Sequence, residues 1–301
     1  MRILVTGADL DTFVQDQCDA LEKEGIEVIK YQIKKKGFWG YITEAMNIRR
    51  SINRYHPDII HAHYGLSGLC ANLQRQVPVV TTYHGSDIHS GGWPLKLSRI
   101  AMRWSAYNIF VSSKLLEMSG YKKKNACVQS CGLDLDVIKV FPRIQARKEL
   151  GIDAEERIGL FSGSFDNYIK NYPLAKAAIE KVKDVRLMEL KGYSRKEVNL
   201  LMNASDFLLT TSYRESGPLV VKEAMACGTP VVSVDVGDVK EIVGDTEGCY
   251  IAEPDADDIA RKIRLALDYK GKTNGRQRII NLGLDNKAIS KKLLKIYQEI
   301  I

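Results

Sequence analysis

The sequence predicts an α/β protein built from two Rossmann-like domains in tandem. Three observations carry that expectation. Apolar strand patterns alternate with helical ones along the whole chain. Leu4-Val5-Thr6-Gly7 has an echo in Leu160-Phe161-Ser162-Gly163, each a buried-strand pattern ending in a hydroxyl residue and a glycine. The length, 301 residues, suits two domains that each bury their own core.

Taken in order, Ile3 to Thr6 reads as a strand, and a helix over about 12 to 24 stops at Gly25. Further strands fit near Val28, Ile59-Ile60, Val79-Val80, Ile109-Phe110-Val111 and Cys127-Val128. The polar stretch from Phe141-Pro142-Arg143 to about Asp153 marks the boundary, so residues 1–143 form the first domain. Residues 144–284 form the second, with strands at Leu160-Phe161, Val185 to Leu190, Phe207 to Thr210, Val231 to Val234 and Tyr250-Ile251. The last 30 residues read as helical, with Leu293, Leu294, Ile296, Tyr297 and Ile300 on one stripe. Residues 285–301 are expected to pack back on the first domain.

Composition is that of a folded globular protein: 45% hydrophobic and 27% charged residues. No apolar run reaches the ~18 residues of a transmembrane helix. The start of the chain reads as a strand and turn rather than a signal peptide. Six scattered cysteines form no C-x-x-C pair, which suits reduced thiols and a cytoplasmic location. The formal net charge of +7 is unevenly spread. Lys34-Lys35-Lys36 precede Gly37-Phe38-Trp39-Gly40-Tyr41, and cations beside aromatic rings suit an anionic membrane face as well as an ordinary solvated one. No nucleic-acid partner is expected.

Parallel α/β sheets bind ligands beyond the carboxyl ends of their strands. One such segment stands out: Thr211-Ser212-Tyr213-Arg214-Glu215-Ser216-Gly217-Pro218-Leu219-Val220-Val221-Lys222-Glu223, followed by Ala224 to Gly228. Pro218 is suited to the first helical position, with Ser216 or Gly217 as its cap. The amides of Leu219 and Val220 would then face a phosphate at the positive end of the helix. Glu223 lies about 7.5 Å further along the axis. A diphosphate at the tip would place a ribose near Glu223 and a transferring sugar near Glu215.

The segment resembles the E-x7-E signature of retaining GT-B glycosyltransferases of the family 4 type. Gly228-Thr229-Pro230-Val231-Val232 and Asp235-Val236-Gly237-Asp238 fit downstream. Asp58-Ile59-Ile60-His61-Ala62-His63, Thr81-Thr82-Tyr83-His84-Gly85-Ser86-Asp87 and Gly132-Leu133-Asp134 fit upstream, so the resemblance spans nearly the whole chain. It implies the GT-B fold, with two domains facing across a cleft. It implies transfer of a hexose-type sugar from a UDP- or GDP-sugar, a substrate rather than a cofactor, with the anomeric configuration retained. The acceptor would be a glycan or lipid-linked molecule in cell-surface polysaccharide synthesis, reached from the inner face of the membrane. The resemblance makes Glu215, His84 and Lys170 the catalytic set. Glu223 would bind ribose, and Lys170 with Gly217, Leu219 and Val220 the diphosphate. Gly7 and Ser164, at the two matching strand ends, complete the donor-binding set.

Some positions depart from the family pattern. Ser164-Phe165 stands where an arginine is usual, and Pro218 replaces a glycine and removes an amide donor. Thr12 stands where a glycine is common, and the stretch from Asp184 to Lys196 is short. Two other readings follow. One is a sugar-nucleotide-binding protein without catalysis. The other is a metal-dependent hydrolase using His61, His63, His84, Asp87 and His89, although His61 and His63 suit the cleft border and local hydrogen bonds, and no metal is expected.

Overall fold

The computed structural model describes residues 1–35 and 37–301. Lys36, the last residue of the first lysine cluster, lies outside them. The chain divides into two compact units. Unit 1 comprises Met1–Gly132 and Asn286–Ile301, and unit 2 comprises Leu133–Asp285.

Unit 1 is a six-stranded parallel sheet of β1 (Arg2–Gly7), β2 (Glu27–Gln32), β3 (Ile59–His63), β4 (Val79–Tyr83), β5 (Tyr107–Phe110) and β6 (Ala126–Val128). The strand order is β2-β1-β3-β4-β5-β6, so the winding reverses between β1 and β3. Every residue of β3 and β4 is buried. Such strands are normally unbroken apolar runs. Here β3 carries His61 and His63, each fully buried, and their polar atoms must find partners inside the protein.

Unit 2 is a five-stranded parallel sheet of β7 (Arg157–Phe161), β8 (Val185–Glu189), β9 (Phe207–Thr210), β10 (Val231–Val234) and β11 (Cys249–Ala252). Its order is β11-β10-β9-β7-β8, with the reversal between β7 and β9. Each unit therefore has one switch point, and it lies beside the copies of the echoed strand, β1 and β7. Crevices that hold ligands open at such points.

The division between units falls at Gly132–Leu133, not at 143. The reason is a set of distant hydrogen bonds. Asn199 Oδ1 accepts from the Lys139 amide at 3.1 Å, and Asn203 Oδ1 from the Phe141 amide at 2.8 Å. The Leu133 amide donates to the Leu284 carbonyl at 2.9 Å. These draw residues 133–141 into unit 2. The C-terminal helical region is two helices, Gly275–Asn281 and Asn286–Ile300, broken at Leu282 to Asp285. The second lies in unit 1, where Ile289, Leu293, Ile296 and Tyr297 are buried. Among the described residues no helix is long and apolar enough to cross a membrane.

Candidate functional site

In unit 2, the loops after β7 and β9 bring Lys170 and Glu215 together. After Gly163 the chain makes a short 3-10 turn, Tyr168–Lys170, whose first amides are capped by Asn167: its side chain accepts from the Ile169 amide at 3.0 Å. Asn171 then sits at φ +53, a left-handed conformation that asparagine tolerates, and starts the helix Tyr172–Ile179. The aliphatic stem of Lys170 lies over Gly163. A Cβ at Gly163 would stand 2.9 Å from Lys170 Cε. The missing side chain of Gly163 thus leaves room for the lysine stem in this position.

Lys170 Nζ donates to Glu215 Oε1 at 2.8 Å, and both side chains are largely buried. The same oxygen accepts from Ser212 Oγ at 2.8 Å. Backbone bonds tie the two loops: the Tyr213 amide donates to the Ile169 carbonyl at 2.9 Å, and Thr211 Oγ1 to the Lys170 carbonyl at 3.0 Å. Residues that the sequence assigned to a phosphate and a sugar separately thus form one charged cluster.

The helix runs from Leu219 to Ala226. Pro218 is its N-cap rather than its first residue, with ψ 110 outside the helical range, and neither Ser216 nor Gly217 caps it. Both the N-cap and the first helical residue can lack a donor without cost, so proline chemistry alone does not choose between them. Leu219 and Val220 occupy the first turn, where amides have no intrahelical acceptor. Along the helix Val221, Lys222, Ala224, Met225 and Ala226 are buried, while Glu223 is half-exposed. Glu223 is thus the carboxylate this helix keeps accessible.

Two features were not legible beforehand. Gly237 has φ +55, and a Cβ there would lie 2.9 Å from the Ser216 carbonyl carbon and oxygen and 3.2 Å from the Glu215 carbonyl carbon. The loop that carries Glu215 rests against this glycine. Lys222 Nζ pairs with Asp238 Oδ2 at 3.2 Å with both side chains almost fully buried, tying the helix to the loop after β10. The run Asp235 to Asp238 was a sequence signal for that loop, but not for either contact.

Ser164 stands among charged side chains. Its hydroxyl donates to Asp166 and, at 3.2 Å, to Glu189 Oε2, which also accepts from the Phe165 amide at 2.7 Å. Asp166 is in turn paired with Lys191 Nζ at 2.6 Å, so Ser164 sits in a cluster of mixed charge. Arg214 is exposed.

The remaining site residues lie in unit 1. Gly7 ends β1. His84 follows β4, and its Nε2 is hydrogen-bonded to His63 Nδ1 at 2.9 Å. The His63 ring stacks between those of His61, at 4.6 Å, and His84, at 5.2 Å. Phe13 and Tyr64 flank His84 at 4.9 and 4.7 Å. His61 Nδ1 meets the Tyr297 hydroxyl at 2.5 Å and its Nε2 meets Thr82 Oγ1 at 2.7 Å. His61 and His63 do not border a crevice, since both are at 0% exposure. Burial lowers the pKa of all three histidines, for His63 to about 3. They are neutral at pH 7. Among the described residues no three His, Cys, Asp or Glu side chains are grouped to hold a metal.

Comparisons with known proteins agree with this architecture. Residues 187–283 match the family model for glycosyl transferases group 1, and residues 5–112 that for glycosyl transferase 4-like proteins. The chain is 27% identical over 237 residues to N-acetyl-alpha-D-glucosaminyl L-malate synthase of Bacillus anthracis, covering 66% of this chain and 62% of that one. It is 28% identical over 240 residues to a Bacillus subtilis protein described as the teichuronic acid biosynthesis glycosyltransferase TuaC, covering 69% and 61%. The chain thus spans about three fifths of the length of these relatives. The solved structure of Anabaena Alr3699/HepE in complex with UDP superposes with a TM-score of 0.77 at 17% identity, over 99% of this chain and 100% of that one.

Proposed function

Because the chain belongs to the family 4 type of GT-B glycosyl transferases, we propose that it moves a hexose from a nucleotide diphosphate sugar to a glycan or lipid-linked acceptor, with retention of configuration. The carrying observation is the Lys170–Glu215–Ser212 cluster beside the helix that exposes Glu223. The UDP in the Alr3699/HepE structure and the teichuronic acid role in the TuaC description support a nucleotide-sugar donor and a polysaccharide product for those proteins.

In this reading the diphosphate lies against the amides of Leu219 and Val220, and Gly217 leaves room for it. Glu223 accepts hydrogen bonds from the ribose hydroxyls. Lys170, held in place by Glu215, neutralises charge on the leaving diphosphate as the glycosidic bond breaks. Glu215 then accepts from a sugar hydroxyl. His84, neutral, offers the sugar a hydrogen bond rather than a charge. Such a donor is a substrate and no cofactor is needed. The basic aromatic segment Lys34 to Tyr41, where Trp39 is 77% exposed, would hold the protein at the cytoplasmic face of a membrane.

The test is turnover of a panel of UDP- and GDP-sugars by Glu223→Ala and Lys170→Ala. Each substitution should lower kcat/KM by about 100-fold or more, the loss of a charged contact in the transition state. Full activity in both variants would refute the assignment.

A further inference from the structure

At the opposite end of the unit 2 sheet from the Lys170–Glu215 cluster lies a cavity of about 430 Å³. Asp206 and Pro230 in its wall immediately precede β9 and β10, so it opens at the amino ends of those strands. The four residues of β9, about 13 Å, separate it from the loop that carries Glu215. The volume is in the range of small-molecule sites. All of its lining residues belong to unit 2, and none of them is assigned to the donor.

The wall has two chemistries. Phe141, Leu267 and Tyr269 are half-buried and make part of it apolar. Arg143, Lys270 and Lys272 are its cations, and among the described residues Asp206 is the one acid that lines it. Asp206 is already committed. Its Oδ2 accepts from the Arg147 guanidinium at 2.9 Å and from the Ile158 amide at 2.7 Å, and its Oδ1 accepts from Arg143. One carboxylate is shared by two guanidiniums, which leaves the group positive before either lysine is counted.

Lys272 is held in place by uncharged groups. Its stem lies over Gly228, where a Cβ would stand 3.0 Å from Lys272 Cβ and 3.2 Å from its Cδ. Its Nζ donates to Asn203 Oδ1 at 3.1 Å, and the same oxygen accepts from the Phe141 amide at 2.8 Å. Asn203 is fully buried, and its side-chain nitrogen donates to the Lys139 carbonyl at 2.9 Å and the Asn199 carbonyl at 2.8 Å. Those bonds fix the amide, and the amide fixes the ammonium. Partial burial lowers the pKa of Lys272, and the positive field of Arg143 lowers it further, the response of a cation held near another cation.

We propose that this cavity binds a soluble phosphate monoester, with the phosphate among Arg143, Lys270 and Lys272 and an apolar body against Phe141 and Tyr269. The guanidinium fork matches two phosphate oxygens, and the ammonium groups act as point charges. A dianion gains more from several cations than a monoanion does. The apolar wall favours an ester over inorganic phosphate. Gly228 and Thr229 of the wall follow the helix that exposes Glu223, so an occupant meets the far end of the element proposed to hold the donor. The proposal does not depend on the transferase reading and survives its failure.

Phenyl phosphate, inorganic phosphate, benzoate and benzyl alcohol should be titrated into the full chain by isothermal calorimetry. Phenyl phosphate should bind at least about tenfold more tightly than each of the others. Lys270→Glu, at an exposed side chain, and Lys272→Met, which keeps the stem and removes the charge, should each weaken it by about tenfold. Lys270→Glu should keep the urea unfolding midpoint, so it decides the matter even if Lys272→Met folds poorly. Lys196→Glu, the same charge change at the far end of the helix Arg195–Ala204, should leave binding unchanged, as should Lys170→Ala. Binding indifferent to Lys270→Glu overturns the proposal. Loss on Lys170→Ala overturns it as well, because the phosphate then belongs to the donor site. Equal binding of benzoate or benzyl alcohol has the same force. So does capture by phosphatidylcholine vesicles containing phosphatidic acid without binding of the free ester, since the phosphate is then lipid-borne.

Discussion

Replacing Gly237 with alanine tests whether this glycine holds the Glu215 loop in place. The left-handed backbone at φ +55 costs an alanine about 1–2 kcal/mol. The new Cβ would also stand 2.9 Å from the Ser216 carbonyl group, inside ordinary contact distance. Relief requires the Glu215–Ser216 backbone to move by roughly half an ångström, and overpacking of this kind costs a further ~1–3 kcal/mol. Gly151→Ala is the control in the same unit. Its φ is +66, and a Cβ there meets nothing within 4 Å, so it carries the backbone cost alone. With a urea m-value near 2 kcal/mol/M, Gly151→Ala should lower the midpoint by about 0.5–1 M and Gly237→Ala by about 1–2.5 M. Displacement of catalytic groups approaching 1 Å costs up to ~100-fold in rate, so kcat/KM of Gly237→Ala should fall by about 10- to 100-fold while the control keeps full activity. Equal midpoint shifts, together with full activity in Gly237→Ala, would refute the reasoning.

Three other outcomes are expected. Lys222→Met should cost about 3–5 kcal/mol because it removes the buried cation that faces buried Asp238, and the double variant Lys222→Met/Asp238→Leu should recover part of that loss in urea unfolding. Tyr297→Phe should lower the unfolding midpoint by an amount equivalent to about 1 kcal/mol, since it removes the close partner of buried His61 Nδ1 and leaves that nitrogen only Gln17 Nε2 at 3.4 Å. The histidines make stability depend on pH. Their folded pKa values lie below the ordinary 6.5, so the unfolded chain binds more protons in acid. Stability contributed by neutral His63 is present above pH 6.5 and is lost as pH falls from 6.5 towards about 3, by up to ~1.4 kcal/mol per pH unit for one proton. His63→Asn should flatten that slope, measured as urea midpoint against pH.

What the sequence revealed was local and periodic. Among the described residues each of the eleven strands falls where the alternation of patterns places one, and the candidate ligand segments follow Gly7, Gly163 and Thr211. The failures are long-range. Residues 133–141 read as the end of the first domain, but Asn199 and Asn203 hold them from a helix some 60 residues away. His61 looked like a crevice residue until Tyr297, 236 positions later, supplied a buried partner. Lys170 and Glu215 were each identifiable by resemblance, but their pairing across 45 residues was not. Ser164 was placed by position alone, and its contacts with Asp166 and Glu189 were not foreseen.

The return of the last helix to unit 1 has a consequence for the order of synthesis. Unit 2 is one continuous stretch and can fold as soon as Asp285 is made. Unit 1 is begun first and finished last. Until Asn286–Ile301 is made, β3 holds His61 in the middle of a sheet without the tyrosine hydroxyl that satisfies it. Unit 2 is therefore complete in the growing chain before unit 1 has all of its core, the reverse of the usual N-terminal-first order.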